Sequence, residues 1–169
     1  MNSIPARLRL FSRKLPPMAL ALVGMLFAVG MTLAEDAVPF PTLPQGAGPI
    51  DPNASKTFIT TESGLKYRIL RAGSKVKPTP QQQVEVNYHG WLIGDKLFDS
   101  SYLAGKPATF GLTQVVKGWT EGMQLIGKGG MIELEIPGYL GYGLAGKGGN
   151  IPPNATLHFL VELIDIKPE

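Results

Sequence analysis

Hydrophobic and polar positions alternate with period two over several runs of this chain. In "VEVNYHGWL", residues 84–92, Val84, Val86 and Tyr88 share one face while Glu85, Asn87 and His89 share the other. "MIELEI", residues 131–136, places Ile132, Leu134 and Ile136 inward and Glu133 and Glu135 outward. "TLHFLVELIDI", residues 156–166, is the longest such run, with Leu157, Phe159, Val161 and Leu163 on one side. "LKYRIL", residues 65–70, is a further candidate strand. Only "GWTEGMQLIG" carries a helical period, with Trp119, Met123 and Ile126 at i, i+4 and i+7 between Gly118 and Gly127. A sheet with one apolar face must cover it, and this helix is the regular element available to do so. The patterning therefore predicts an α+β domain, a bent antiparallel sheet wrapped around one short helix.

Ahead of these runs, the chain changes character twice. Residues 35–56, "EDAVPFPTLPQGAGPIDPNASK", contain five prolines and read as a proline-rich linker, with the domain at 57–169. Residues 1–34 combine the basic "ARLRLFSRK" with the apolar "PPMALALVGMLFAVGMTLA" and read as a signal peptide or an N-terminal membrane anchor. Either predicts an exported domain, periplasmic or secreted, or held to the inner membrane by an uncleaved leader.

The charge balance looks basic, at +3 over 169 residues, but that impression belongs to the leader. Arg7, Arg9, Arg13 and Lys14 precede every acidic residue, and without residues 1–34 there are 12 basic and 13 acidic side chains. Nothing remains to follow a nucleic-acid backbone. The absence of cysteine excludes disulfides and thiolate chemistry. No H-E-x-x-H pair, G-x-S-x-G elbow or dinucleotide fingerprint occurs, and His89 and His158 read as strand positions in structural roles. "GKGG" occurs at 127–130 and 146–149 without the strand–loop–helix setting of a phosphate cradle, so each reads as a turn.

What remains is a set of aromatic and polar residues beside turns. Tyr88 closes its alternating run, Phe98 and Asp99 lie in "KLFDSS", Trp119 opens the helix and Tyr142 sits between glycines in "YLGYG". Trp119 and Phe159 have an ordinary explanation as core and Asp99 as a turn cap, whereas Tyr142, with flexible backbone on both sides, reads equally as a positioned phenol or a structural turn.

Taken together, residues 84–166 resemble an FKBP-type peptidyl-prolyl cis-trans isomerase of the exported bacterial type. The blocks "VEVNYHGWLIGDKLFDSS", "VVKGWTEGMQLIGKG" and "IPGYLGYG…NIPPNATLHFLVELIDI" follow the family's order and spacing. The resemblance implies a half β-barrel around the helix and a prolyl pocket lined by Tyr88, Phe98, Val115, Val116, Tyr142, Ile151 and Phe159 over a Trp119 floor. It places Asp99 near the bound peptide and sets the Tyr142 hydroxyl and the Ile151 N–H against substrate carbonyls. Those three are the expected catalytic residues. It implies no cofactor and no metal, proline-containing unfolded or partly folded exported polypeptides as partners, and macrolide ligands. The proline-rich arm is too short for the helical dimerisation region some exported members carry, so a monomer is expected. Two positions depart from the family pattern. Ala108 stands where an aromatic is common, with Phe110 two residues on, and Lys147 stands where some members carry histidine. Two other readings share the groove: a non-catalytic binding module or holdase, and a structural β-domain whose aromatics are all core.

Overall fold

The computed structural model describes residues 37–168. Seven strands form one antiparallel sheet: β1 (Ile59–Thr60), β2 (Lys66–Arg71), β3 (Gln83–Leu92), β4 (Lys96–Ser100), β5 (Ala108–Gly111), β6 (Met131–Ile136) and β7 (Leu157–Lys167). Their order is β1-β2-β6-β7-β3-β4, and β5 also pairs with β3. β4 and β5 use different parts of β3, at His89–Leu92 and Gln83–Val86. Register shifts at Glu85/Val86 and Gly90/Trp91 break the ladder and bend β3. The sheet is bent but open, as the patterning predicts.

Two short α-helices accompany it, α1 (Ser101–Ala104) and α2 (Lys117–Met123). α2 ends earlier than the apolar period implies, so Ile126 lies beyond the helix, yet Trp119, Met123 and Ile126 are all buried. They meet Val84, Val86, Ile132, Leu134, Ile136, Leu157, Val161 and Leu163 on the inner face of the sheet. Each such side chain contributes about 1.5–3 kcal/mol on burial, making this face the main source of stability. α2 can approach closely because Gly118 and Gly122 face β6. A Cβ on them would stand 2.5 Å and 2.8 Å from Ile136 and Leu134.

The outer face differs from the sequence expectation. Glu133 and Leu160, on the side opposite the core, are buried rather than solvated. Residues 37–56, expected as a loose linker, pack here instead, with Phe40, Leu43 and Ile50 against Leu70, Met131 and Leu160. Arg68 organises this layer. Its Nε donates to Glu133 at 2.6 Å, Nη1 to the carbonyls of Val38 (2.6 Å) and Lys56 (3.2 Å), and Nη2 to Pro39 (2.6 Å). Phe40 and Phe58 rings lie 5.0 Å and 4.7 Å from the guanidinium. A proline-rich segment cannot satisfy its own carbonyls through a ladder, and a planar five-donor cation can. Arg71 and Glu162 repeat the device: Arg71 donates to the Pro49 carbonyl at 2.6 Å, and Glu162 accepts from Gly48 N–H at 3.0 Å.

The leader, residues 1–34, lies outside the described residues. Among the described residues no helix is long and apolar enough to cross a membrane.

Candidate functional site

The inner face of the sheet is not filled at one end, and a cavity of about 520 Å³ opens there. All nine residues singled out from the sequence line it: Tyr88, Phe98, Asp99, Val115, Val116, Trp119, Tyr142, Ile151 and Phe159. Five separate stretches of chain supply them. Tyr88 comes from β3, Phe98 and Asp99 from β4, and Val115, Val116 and Trp119 from the entry to α2. Tyr142 stands between two 3₁₀ turns, Gly138–Leu140 and Gly143–Ala145; Ile151 and Phe159 belong to the following loop and β7.

Trp119 is the hub. The rings of Tyr88, Phe110 and Phe159 stand nearly perpendicular to it, at 84°, 85° and 81°, with centroids 5.5, 5.7 and 5.2 Å away. Edge-to-face pairs add about 0.5–1.5 kcal/mol each beyond their buried area, so the floor is held from three sides. Phe98 meets Phe159 at 90° and 5.4 Å. That contact needs Gly90, because a Cβ there would lie 2.7 Å from Phe159 Cε1 and 2.8 Å from Phe98 Cζ. The indole Nε1 of Trp119 is buried and, among the described residues, has no hydrogen-bond acceptor.

The polar groups are arranged around this apolar floor. Tyr88 Oη donates to Asp99 Oδ2 at 2.8 Å. Burial raises the Tyr88 phenol well above its ordinary range, and the Asp99 carboxylate it donates to adds to the shift. Asp99 therefore does not cap the following turn. Ser100 does so, accepting from Leu103 N–H at 3.4 Å and leaving the Asp99 carboxylate to the cavity. The Ile151 N–H, expected to face a substrate carbonyl, donates to the Lys147 carbonyl at 3.1 Å, while Lys147 N–H donates to Ile151 O at 2.9 Å. This closed turn leaves the Ile151 side chain in the wall. Val116 N–H, by contrast, has no acceptor among the described residues.

Phe110, Gln114, Lys147, Gly148 and Asn150 also line the cavity. Phe110 forms a wall, 5.8 Å from Tyr88, whereas Ala108 packs against the core without reaching the cavity. The two lie two residues apart on β5, so their common face was legible; which of them borders the cavity was not. Gln114 and Asn150 carry no sequence signal beyond being loop residues. His89 and His158 point away from the site, on the outer face beside Trp91. Among the described residues no cluster of acidic and histidine side chains suits a metal ion.

A bent sheet over a short helix thus encloses an aromatic cavity with a few polar groups at its rim. Residues 74–164 match the family model of the FKBP-type peptidyl-prolyl cis-trans isomerases, and the chain belongs to that family. It is 50% identical over 114 residues to a probable FKBP-type peptidyl-prolyl cis-trans isomerase of Haemophilus influenzae, covering 68% of this chain and 47% of that protein. It is 51% identical over 113 residues to FkpA of Escherichia coli, covering 67% and 42%. The outer membrane protein MIP of Legionella longbeachae is 46% identical over 116 residues, covering 68% and 50%. The chain thus spans half or less of the length of these relatives. The crystal structure of FkpA from Escherichia coli superposes with a TM-score of 0.64 at 50% identity, covering 66% of this chain and 52% of that one. A peptidyl-prolyl cis-trans isomerase from Pseudomonas syringae gives 0.61 at 34% identity, covering 66% and 81%.

Proposed function

We propose that this protein is a peptidyl-prolyl cis-trans isomerase that accelerates X–Pro bond rotation in exported, partly folded polypeptides. The observation that carries this reading is the Trp119-floored cavity, apolar at its base and bordered by the Val116 N–H, which has no acceptor among the described residues. Prolyl isomerisation breaks no bond. Its barrier, about 18–20 kcal/mol, arises from the partial double-bond character of the amide. A site lowers it by binding the twisted amide better than the planar one. Water stabilises the planar, dipolar amide, so transferring it to an aromatic cavity weakens that preference. Donors at the rim then hold the twisted geometry.

In this reading the prolyl ring enters between Tyr88, Phe98, Phe110 and Phe159, over Trp119. The Tyr142 hydroxyl and the Val116 N–H meet substrate carbonyls, and Asp99, held by Tyr88, lies beside the rotating bond. Because the Ile151 N–H is engaged by Lys147, Ile151 contributes its side chain to the wall, and its N–H serves only if that turn opens. The chemistry uses no covalent intermediate, metal or cofactor. The leader motif and the similarity to the outer membrane protein MIP support action in the periplasm or outside the cell, on chains with an apolar residue before proline. Macrolide ligands would occupy the same cavity, and the domain would act as a monomer.

The test is isomerisation of a proline-containing tetrapeptide by the purified chain, beside folded Tyr142→Phe, Asp99→Ala and Trp119→Ala variants. Acceleration by the wild type and losses in all three are expected. No acceleration by the wild type would overturn the enzymatic reading, and suppressed aggregation of a refolding client without acceleration would favour a holdase.

A further inference from the structure

Lys147 lines the cavity at its rim, on a turn fixed by the paired backbone bonds between Lys147 and Ile151. Its side chain folds back over Tyr142, with Nζ 5.0 Å from the ring centroid and 3.1 Å from the hydroxyl oxygen. No carboxylate among the described residues pairs with it.

An ammonium has three donors and no acceptor, so the Tyr142 oxygen must accept this bond. That fixes which way the phenol works. Its own proton cannot point at Lys147, and among the described residues Tyr142 Oη finds no acceptor to donate to. The proton is left for an acceptor entering the cavity that both residues line. A hydroxyl that accepts from a cation is also polarised toward donating, because successive hydrogen bonds strengthen one another. A free phenol would instead divide its time between donating and accepting.

We infer that Lys147 is a positioning residue for the reaction: it holds the Tyr142 hydroxyl as a directed donor to the substrate carbonyl. This inference rests on the isomerase reading above and concerns how one of its donors is oriented. It assigns a role to the side chain at which this chain departs from relatives carrying histidine. Arginine retains a permanent cation and a donor and preserves the arrangement; methionine retains the stem without either.

The experiment compares kcat and KM for a proline-containing tetrapeptide across wild type, Lys147→Met, Lys147→Arg, Tyr142→Phe and the Lys147→Met/Tyr142→Phe double variant. Lys147→Met should lower kcat by about three- to tenfold with KM changed less than about twofold, the loss expected of one directed hydrogen bond. Lys147→Arg should restore most of it. In the Tyr142→Phe background, Lys147→Met should cost almost nothing more. The 13Cζ resonance of Tyr142 in the free protein should move in Lys147→Met and stay close to wild type in Lys147→Arg.

Equal losses from Lys147→Met in both backgrounds, failure of arginine to restore activity, or an unmoved Tyr142 resonance would each overturn the inference. An inert wild type would overturn the isomerase reading, and with it any role in turnover. A wild-type enzyme whose two residues act independently would overturn this inference alone.

Discussion

The Tyr88 hydroxyl donates to Asp99 across the β3–β4 pair at 2.8 Å, joining a buried aromatic of the cavity floor to a carboxylate at its rim. Neither residue is independent of the other. Asp99→Ala leaves the Tyr88 donor in an apolar setting without its partner, at a cost of about 1–3 kcal/mol. Tyr88→Phe removes the donor without burying an orphan there and should cost less. Urea titrations of the two variants at neutral pH check the order.

The same bond sets an alkaline limit. Tyr88 is raised above the ordinary phenol value of 10.0 by burial first and by Asp99 second, and Tyr102 is raised by burial and its bond to Glu162. An acid whose folded pKa is raised stays protonated while the unfolded chain loses its proton. The stabilisation is therefore complete below pH 10 and declines as the pH climbs above it. Unfolding midpoints measured between about pH 9 and 11.5 should fall. The fall should be shallower in Tyr88→Phe and in Tyr102→Phe.

Gly90 controls the aromatic wall. In Gly90→Ala the new methyl must displace the Phe98 and Phe159 rings, since both lie under 3.0 Å from its position. A stability loss of about 1–3 kcal/mol is expected, the range for overpacking. Near-UV circular dichroism should change and kcat/KM should fall, whereas a silent substitution in all three measurements would remove Gly90 from the account.

Phe110, not Ala108, forms the wall on β5. Phe110→Ala should lower kcat/KM by at least about tenfold, the equivalent of one lost aromatic contact surface. Ala108→Ser should stay within about twofold, because its side chain meets the core rather than the cavity. Steady-state kinetics on a prolyl peptide separate the two positions.

Arg68 ties the outer layer to the sheet. Arg68→Met leaves Glu133 buried without a partner, and a loss of about 3–5 kcal/mol is expected. Pairing it with Glu133→Leu removes the stranded charge and should recover part of that loss. Because Arg68 also holds the Val38, Pro39 and Lys56 carbonyls, residues 37–56 should become sensitive to protease in both variants. Limited proteolysis with mass spectrometry reads this out.

The inner layer of the fold was legible because its pattern is local. Val84, Val86 and Tyr88, or Ile132, Leu134 and Ile136, must share a face in any strand, whatever the strand pairs with. The helix around Trp119 was equally visible, although its last turn was overestimated: periodic burial continues to Ile126, where the helix has already ended. The outer layer was hidden. Proline-rich sequence has no period, and one arginine in a strand gives no sign that it gathers three carbonyls and a carboxylate.

By itself the sequence determined four of the seven strands, the buried face, the helix around Trp119 and, through the resemblance of its ordered blocks, the nine residues that surround the cavity. Alternation and order along the chain are enough for these, since each depends on neighbours a few positions away. Tertiary structure alone decided the pairings that give the site its direction. Tyr88 reaches Asp99, Lys147 caps the Tyr142 oxygen, and the Ile151 N–H turns inward to Lys147 while the Val116 N–H has no acceptor among the described residues. A hydrogen bond depends on angle and on distances of a few tenths of an ångström, and those are set by how separate segments pack, not by which residues they contain.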